Sequence, residues 1–380
     1  MSEKNVAMAR ETARKSIVLL KNDLNTLPLK SSKRIAIIGP LAKDKDTPLG
    51  NWRAAAEGNS AVSFYEGMVA AIGSEDIRYA EGCKLSIGPN TFSQPTEVEN
   101  QDRSGFPEAI QVAKNAEVVF MVLGETAFMS GESRSRVDIS LPGLQLELLK
   151  EVYKVNKNIV LVLMNGRPMT IPWEADNIPT ILETWHLGSE AVNAIADFIT
   201  GKYNPSGKLP MTFPRSVGQL PMYYNHKSTG RPSTDPGIVF YSHFGDVENT
   251  PLFPFGYGMG YSNFQYVGLL LRDAELTNDG TITISVTVVN NGEMDGEEVV
   301  QLYIQDVVGS ITRPVKELKK FKKLLIKAGE SQRVSFEISS EDLSYYRKDF
   351  TYGTEPGEFK VFVGGNSRDV LESNFRLVEN

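Results

Sequence analysis

The hydrophobic code of this chain changes near Tyr261, and that change limits the fold more than any other feature. Before it stand short unbroken apolar runs: Ile35-Ala-Ile-Ile38, Val118-Val-Phe-Met-Val-Leu123, Ile159-Val-Leu-Val-Leu-Met164 and Ile178-Pro-Thr-Ile-Leu-Glu-Thr184. Segments apolar at helical spacing lie between them, at 62–72, 108–115, 144–154 and 191–200. Unbroken runs of this length read as strands buried on both faces, which calls for helices on both sides of a mainly parallel sheet. After Tyr261 the code is period two. Thr281–Val289, Glu298–Ile304, Phe321–Ile326, Gln332–Ile338 and Glu358–Val363 are short strands set apart by turns such as Asn290-Asn-Gly292 and Ala328-Gly329. The expectation is an α/β three-layer sandwich followed by an all-β sandwich.

The chain opens on residues 5–20, whose apolar or small positions Val6, Ala9, Ala13, Ile17 and Leu20 predict one amphipathic helix. Met1-Ser-Glu-Lys4 has no apolar stretch behind it and does not read as a secretory leader. A helix without a domain of its own suggests that something precedes it. Between Gly201 and Gly260 the chain is rich in turns and aromatic residues, including Tyr223, Tyr224, Phe253, Phe255 and Tyr257. It reads as an ordered connector laid over the α/β domain rather than a flexible tether.

Composition excludes several function classes. A net charge of -7 argues against nucleic acid as a partner. No apolar run approaches the roughly 18 residues that a membrane span needs. The single Cys83 cannot form an internal disulfide, and it leaves the compartment open. The three histidines, His186, His226 and His243, show no metal-ligand spacing, so no metal is expected. The run Arg34–Gly39 resembles a first dinucleotide-binding strand but is not followed by the glycine fingerprint, so no cofactor is expected either.

Chemistry concentrates in the connection from Gly124 to Gly143. It begins at the C-terminal end of a strand, where open α/β sheets place their ligands. It is also several times longer than the usual two to six residues. It carries Glu125, Glu132, Arg134, Arg136 and Asp138. Glu132 is read as a catalytic acid/base, with Glu125 behind it as a second candidate and a good structural anchor. A solvated loop with surface ion pairs is the bland alternative. Arg134 and Arg136 either orient carboxylates such as Asp138 or staple the loop. Phe128 and Met129 either wall an aglycone site or pin the loop. Trp52, in Gly50-Asn-Trp52, reads equally as a sugar-stacking face or a core indole.

Several stretches together resemble glycoside hydrolase family 3 β-glucosidases of the periplasmic bacterial type. They are Ala13-Arg-Lys-Ser-Ile-Val-Leu-Leu-Lys-Asn22 with Leu27-Pro-Leu29, Ile37-Ile-Gly-Pro40 and Ser130-Gly-Glu-Ser-Arg-Ser-Arg136. Leu163-Met-Asn-Gly-Arg-Pro168, Tyr203-Asn-Pro-Ser-Gly-Lys-Leu-Pro210 and Phe253-Pro-Phe-Gly-Tyr-Gly258 extend the likeness essentially end to end. The resemblance implies a retaining hydrolase of terminal β-glucosyl residues, working with two carboxylates about 5 Å apart. It places the acid/base at Glu132 and the nucleophile, in a Ser-Asp-Trp motif, on an N-terminal (β/α)₈ barrel; this chain contains no Ser-Asp-Trp. The implied partners are a β-glucoside or oligosaccharide and the barrel of the same parent, which would be periplasmic or secreted.

The domain limits that follow are 1–32, a helix and connector trailing from the barrel; 33–245, the α/β domain with the acid/base loop; 246–264, a connector; and 265–380, a fibronectin type III-like domain. With half a site, the chain by itself is expected to be inactive. A non-catalytic accessory, carbohydrate-binding or structural module remains the alternative.

Overall fold

The structure, a computed structural model, describes residues 2–30, 34–53, 55–231 and 240–379. Contacts divide it into two compact units, Met1–Gly207 and Lys208–Asn380.

The first unit runs α1 (Glu3–Ser16), β1 (Val18–Asn22), β2 (Ile35–Ile38), α2 (Phe64–Ile72), β3 (Ile77–Ala80), α3 (Phe106–Lys114), β4 (Val118–Gly124), α4 (Gln145–Val155), β5 (Ile159–Met164), α5 (Pro172–Asn177), β6 (Thr180–Glu183) and α6 (Ala191–Ile199). One six-stranded sheet has the order β1-β6-β5-β4-β2-β3. All neighbours are parallel except β1, which closes the edge antiparallel to β6. Strands β2, β4, β5 and β6 are buried at every position. Two groups of helices produce that burial. Helices α1 and α2 pack on α6, while α3 packs on α4. Trp173 of α5 meets Tyr153 of α4 edge-on at 5.6 Å.

The opening segment departs from expectation. Helix α1 stops at Ser16, and Ile17 turns extended with ψ 133°. Val18, Leu19 and Leu20 then join the sheet. Their helical spacing continues that of the helix, but edge pairing to β6 buries them better than another turn of helix would. Nor is α1 detached. Arg10 and Arg14 both reach the Asp197 carboxylate on α6, with Arg10 donating over 2.7 Å at Nε and Nη2.

The second unit contains β7 (Phe264–Leu271), β8 (Glu275–Thr277), β9 (Thr281–Asn290), β10 (Gly296–Asp306), β11 (Glu317–Ile326), β12 (Ser331–Ser339), α7 (Ser340–Leu343), β13 (Tyr345–Tyr346), β14 (Tyr352–Gly353), β15 (Gly357–Gly364) and β16 (Val370–Val378). A five-stranded sheet, β11-β10-β15-β16-β8, and a three-stranded sheet, β12-β9-β7, enclose a shared core. Ile284, Val286, Leu302, Phe336, Val361 and Phe375 belong to that core, as inward residues of alternating strands.

The aromatic stretch that begins at Lys208 packs within this second unit. Lys208 pairs with Glu298 at 3.0 Å, and Tyr224 stacks on Phe255 at 4.2 Å and meets Tyr303. The Gln301 side chain donates to Gly256 O and Gly365 O. Tyr224 thus finds cover on β10, within the second unit. Among the described residues no helix is long and apolar enough to cross a membrane.

Candidate active site

Strand order shows what linear sequence cannot. β2 lies between β3 and β4, so the chain leaves β2 toward one side and returns on the other. The loops after β2 and β4 therefore diverge, and the crevice between them is the topological switch point where such sheets bind ligands. The first loop carries Asn51 and Trp52, and the second carries Glu132.

The β4 loop leaves the sheet through Gly124, at φ +143°. A Cβ here would lie 1.9 Å from the Met164 carbonyl oxygen on β5. Gln145, wholly buried at the start of α4, ties both ends of the loop together. Its amide accepts from Gly124 N at 2.9 Å and donates to Gly124 O at 2.8 Å and Pro142 O at 2.9 Å.

Glu125 follows immediately and is fully buried. Arg136 Nη1 meets its Oε1 at 2.6 Å, and Arg167 Nε meets its Oε2 at 3.1 Å. Two guanidinium groups thus satisfy one carboxylate, as a buried anion requires. Phe128 and Met129 form a 3-10 turn with Ala127 and are each 6% exposed, so their side chains pin the root of the loop. The Arg53 guanidinium lies 4.9 Å from the Phe128 ring centroid.

The apex is a tight turn. Arg134 N donates to Gly131 O at 3.2 Å, closing Gly131-Glu132-Ser133-Arg134, with Ser133 at φ +58°. Gly131 has φ +109°, and a Cβ there would lie 2.2 Å from Asn51 Nδ2. That nitrogen donates to Ser130 O at 2.7 Å and so joins the two switch-point loops. Glu132 itself is exposed and makes no hydrogen bond or ion pair among the described residues.

Of the two readings of the arginines, orienting carboxylates or stapling the loop, Arg136 fits the first through Glu125 rather than Asp138 and Arg134 fits the second. Arg136 bonds Glu125, while Asp138 accepts from Ser140 N at 2.8 Å. Its hydrogen bonds to Ser140 hold the Asp138 carboxyl below the usual range, with the Arg136 charge a smaller influence. Arg134 donates to the Phe92 carbonyl. Trp52 is 72% exposed, which rules out the core-indole reading within this chain.

Beneath the loops, β6 delivers a second buried carboxylate. Glu183 accepts from Trp185 N at 2.9 Å and from Asn165 Nδ2 at 3.0 Å. Burial pushes its carboxyl up to about 8, and the Glu125 charge adds to the rise. Burial also pushes the nearby His186 down to about 4, against the opposing pull of the Thr47 carbonyl and Asp44. Asn51, Gln145, Arg167 and Glu183 escaped the sequence reading. The available signal was their position: Asn165-Gly-Arg-Pro168 follows a buried parallel strand, at the same edge as the candidate loop.

Residues 17–261 match the glycosyl hydrolase family 3 C-terminal domain, and residues 298–367 match a fibronectin type III-like domain. A periplasmic β-glucosidase of Salmonella typhimurium is 43% identical over 97% of this chain and 50% of its own. A β-xylosidase of Formosa agariphila is 39% identical over 95% of this chain and 48% of its own. The crystal structure of a Listeria innocua β-glucosidase in complex with glucose superimposes with a TM-score of 0.91 at 36% identity, covering 99% of this chain and 50% of that one. The chain thus spans about half the length of the relatives it matches. It belongs to glycoside hydrolase family 3, whose C-terminal domain and fibronectin type III-like domain it carries.

Proposed function

We propose that this chain is the C-terminal part of a retaining β-glucosidase and supplies its general acid/base, Glu132. The observation that carries the reading is the contrast between the two glutamates of one loop. Glu125 is buried and consumed by two arginines, whereas Glu132 stands exposed and, among the described residues, unpaired at the apex of a fixed turn. An acid/base must exchange protons with a glycosidic oxygen and with water, so it has to be both accessible and positioned. The glucosidase names of the Salmonella and Listeria relatives support the substrate class. Trp52, on the facing loop, is proposed as a stacking surface for a sugar. The nucleophile is assigned to an N-terminal barrel of the parent, which by the Salmonella relative's name would be periplasmic.

The mechanism follows from these placements. Protonated Glu132 donates to the departing oxygen while a carboxylate on the other domain attacks the anomeric carbon. Glu132, now ionised, takes a proton from water in the second step. The test joins this chain to the N-terminal half of the Salmonella relative. The isolated chain should not hydrolyse an aryl β-glucoside, whereas the hybrid should. Glu132→Gln in the hybrid should slow poor leaving groups by a factor of about 10² to 10⁴ and spare glycosylation by dinitrophenyl glucoside. Turnover by the isolated chain, or equal losses on all substrates, would overturn the assignment.

A further inference from the structure

Glu132 has no polar contact of its own among the described residues, yet both shoulders of its turn are held. Asn51 grips Ser130 O on one side. Arg167 grips both sides at once: its Nη2 donates to Met129 O, before the turn, and to Arg134 O at 2.7 Å, after it. Its Nε donates to Glu125 Oε2 at 3.1 Å, so the same planar group is fixed at its other edge by a buried anion. That anion is held in turn by Arg136, further along the same loop.

Arg167 itself leaves the end of β5 in Asn165-Gly-Arg-Pro168. Its backbone carbonyl accepts from Asn165 Nδ2 at 2.8 Å. Gly166 sits so close to Ser130 that a Cβ would lie 2.0 Å from Ser130 Oγ. The β5 end and the loop are thus in direct contact beneath the turn. One guanidinium therefore connects the sheet, the loop's entry, and the two carbonyls that bracket Gly131-Glu132-Ser133. With Ser133 at φ +58°, the turn uses a conformation that non-glycine residues rarely keep unless their surroundings impose it.

We propose that Arg167 is a positioning residue for the acid/base: it sets where the Glu132 carboxyl stands by clamping Met129 O and Arg134 O, without touching substrate. The proposal rests on the assignment of Glu132 made above. A fork with fixed donor geometry is required, because the three acceptors lie in different directions. A lysine ammonium can hold the Glu125 charge but cannot reproduce the fork.

Arg167→Ala and Arg167→Lys, each made in the hybrid and in the 380-residue chain, test it. In the hybrid, both variants should lose about a hundredfold in kcat on poor leaving groups, with KM nearly unchanged and glycosylation by dinitrophenyl glucoside nearly unaffected. Millimolar guanidinium should restore part of the Arg167→Ala loss. In the 380-residue chain, amide exchange of residues 129–136 should accelerate by at least about tenfold in both variants, while β4 and β5 stay protected. Losses equal for all leaving groups, or unchanged exchange at 129–136 in the folded Arg167→Lys chain, would overturn the clamp. Glu132→Gln run in parallel separates the two claims. If it shows leaving-group dependence and the Arg167 variants do not, only the clamp fails. If Glu132→Gln shows none, the acid/base assignment fails and the clamp's purpose with it.

Discussion

Replacing Glu125 by alanine removes a fully buried carboxylate and leaves two guanidinium groups facing each other. The ion pairs are 2.6 Å to Arg136 and 3.1 Å to Arg167, and the arginine side chains keep 22% and 19% exposure. Breaking a buried pair by removing one partner typically costs about 3–5 kcal/mol. The residual exposure lets water reach the stranded cations, so the lower end applies, about 3 kcal/mol. The perturbation is easy to localise, because Trp52, Trp173 and Trp185, the three tryptophans of the chain, all lie in the first unit. Tryptophan emission during urea unfolding therefore reports that unit alone. With a slope of about 2 kcal/mol per molar urea, the midpoint should fall by about 1.5 M. Glu132→Gln, exposed and unpaired, should move it by less than about 0.3 M. A Glu125→Ala shift below about 0.5 M, or an equal shift for Glu132→Gln, would refute the division of the loop into a buried anchor and a free apex.

Five further outcomes are expected. Gly124→Ala should cost more than about 4 kcal/mol by the same assay, since its Cβ would meet the Met164 carbonyl at 1.9 Å; a mild effect would mean that the β4–β5 ends are not so close. Gln145→Ala strands Gly124 N, Gly124 O and Pro142 O and should cost about 2–4 kcal/mol, with faster amide exchange at both ends of the loop as the check. Glu183, raised to about 8 from an ordinary 4.5, keeps a proton in the folded unit that the unfolded chain releases. Stability therefore falls with rising pH between about 5 and 8, by at most about 1.4 kcal/mol per unit from this group, and Glu183→Gln should flatten that limb. His186, lowered to about 4, acts in the opposite sense over an overlapping range: its contribution is whole above about 6.5 and is lost as pH falls toward 4. Limited proteolysis should yield a protected C-terminal fragment beginning near Lys208 rather than Tyr261, because Leu209 N bonds Tyr257 O at 2.8 Å and Phe213 meets Phe253 at 6.2 Å within the second unit.

The strands of the sheet were legible because burial on both faces leaves unbroken apolar runs, as at Val118–Leu123 and Ile159–Met164. The period-two strands of the second unit were legible for the complementary reason, one face in and one out. Ile17–Leu20 misled because apolar spacing alone cannot separate the last turn of a helix from a short edge strand. Helix α5, six residues long, is too short to show a period. Strand β16, with its exposed glutamate and arginine, depends on pairing with β15 and β8 rather than on its own pattern. In the loop, Glu132 was singled out as a candidate from its setting and the family resemblance. Its supports were not, because they are tertiary. Asn51 reaches across 79 residues to Ser130, and Arg167 across 38 and 33 to Met129 and Arg134. Nothing local in Asn165-Gly-Arg-Pro168 distinguishes such a clamp from an ordinary turn.

The central claim, that Glu132 is the acid/base, is tested most directly by the product that the Glu132→Gln hybrid makes from dinitrophenyl β-glucoside in azide. With the carboxyl gone, the activated leaving group still departs and a glycosyl-enzyme accumulates, because no base activates water. Azide needs no such base and should attack the intermediate from the face that Glu132 occupied. The expected result is accelerated turnover and β-glucosyl azide, with retained configuration, seen by proton NMR. Free glucose as the only product, at a rate indifferent to azide, would contradict the account.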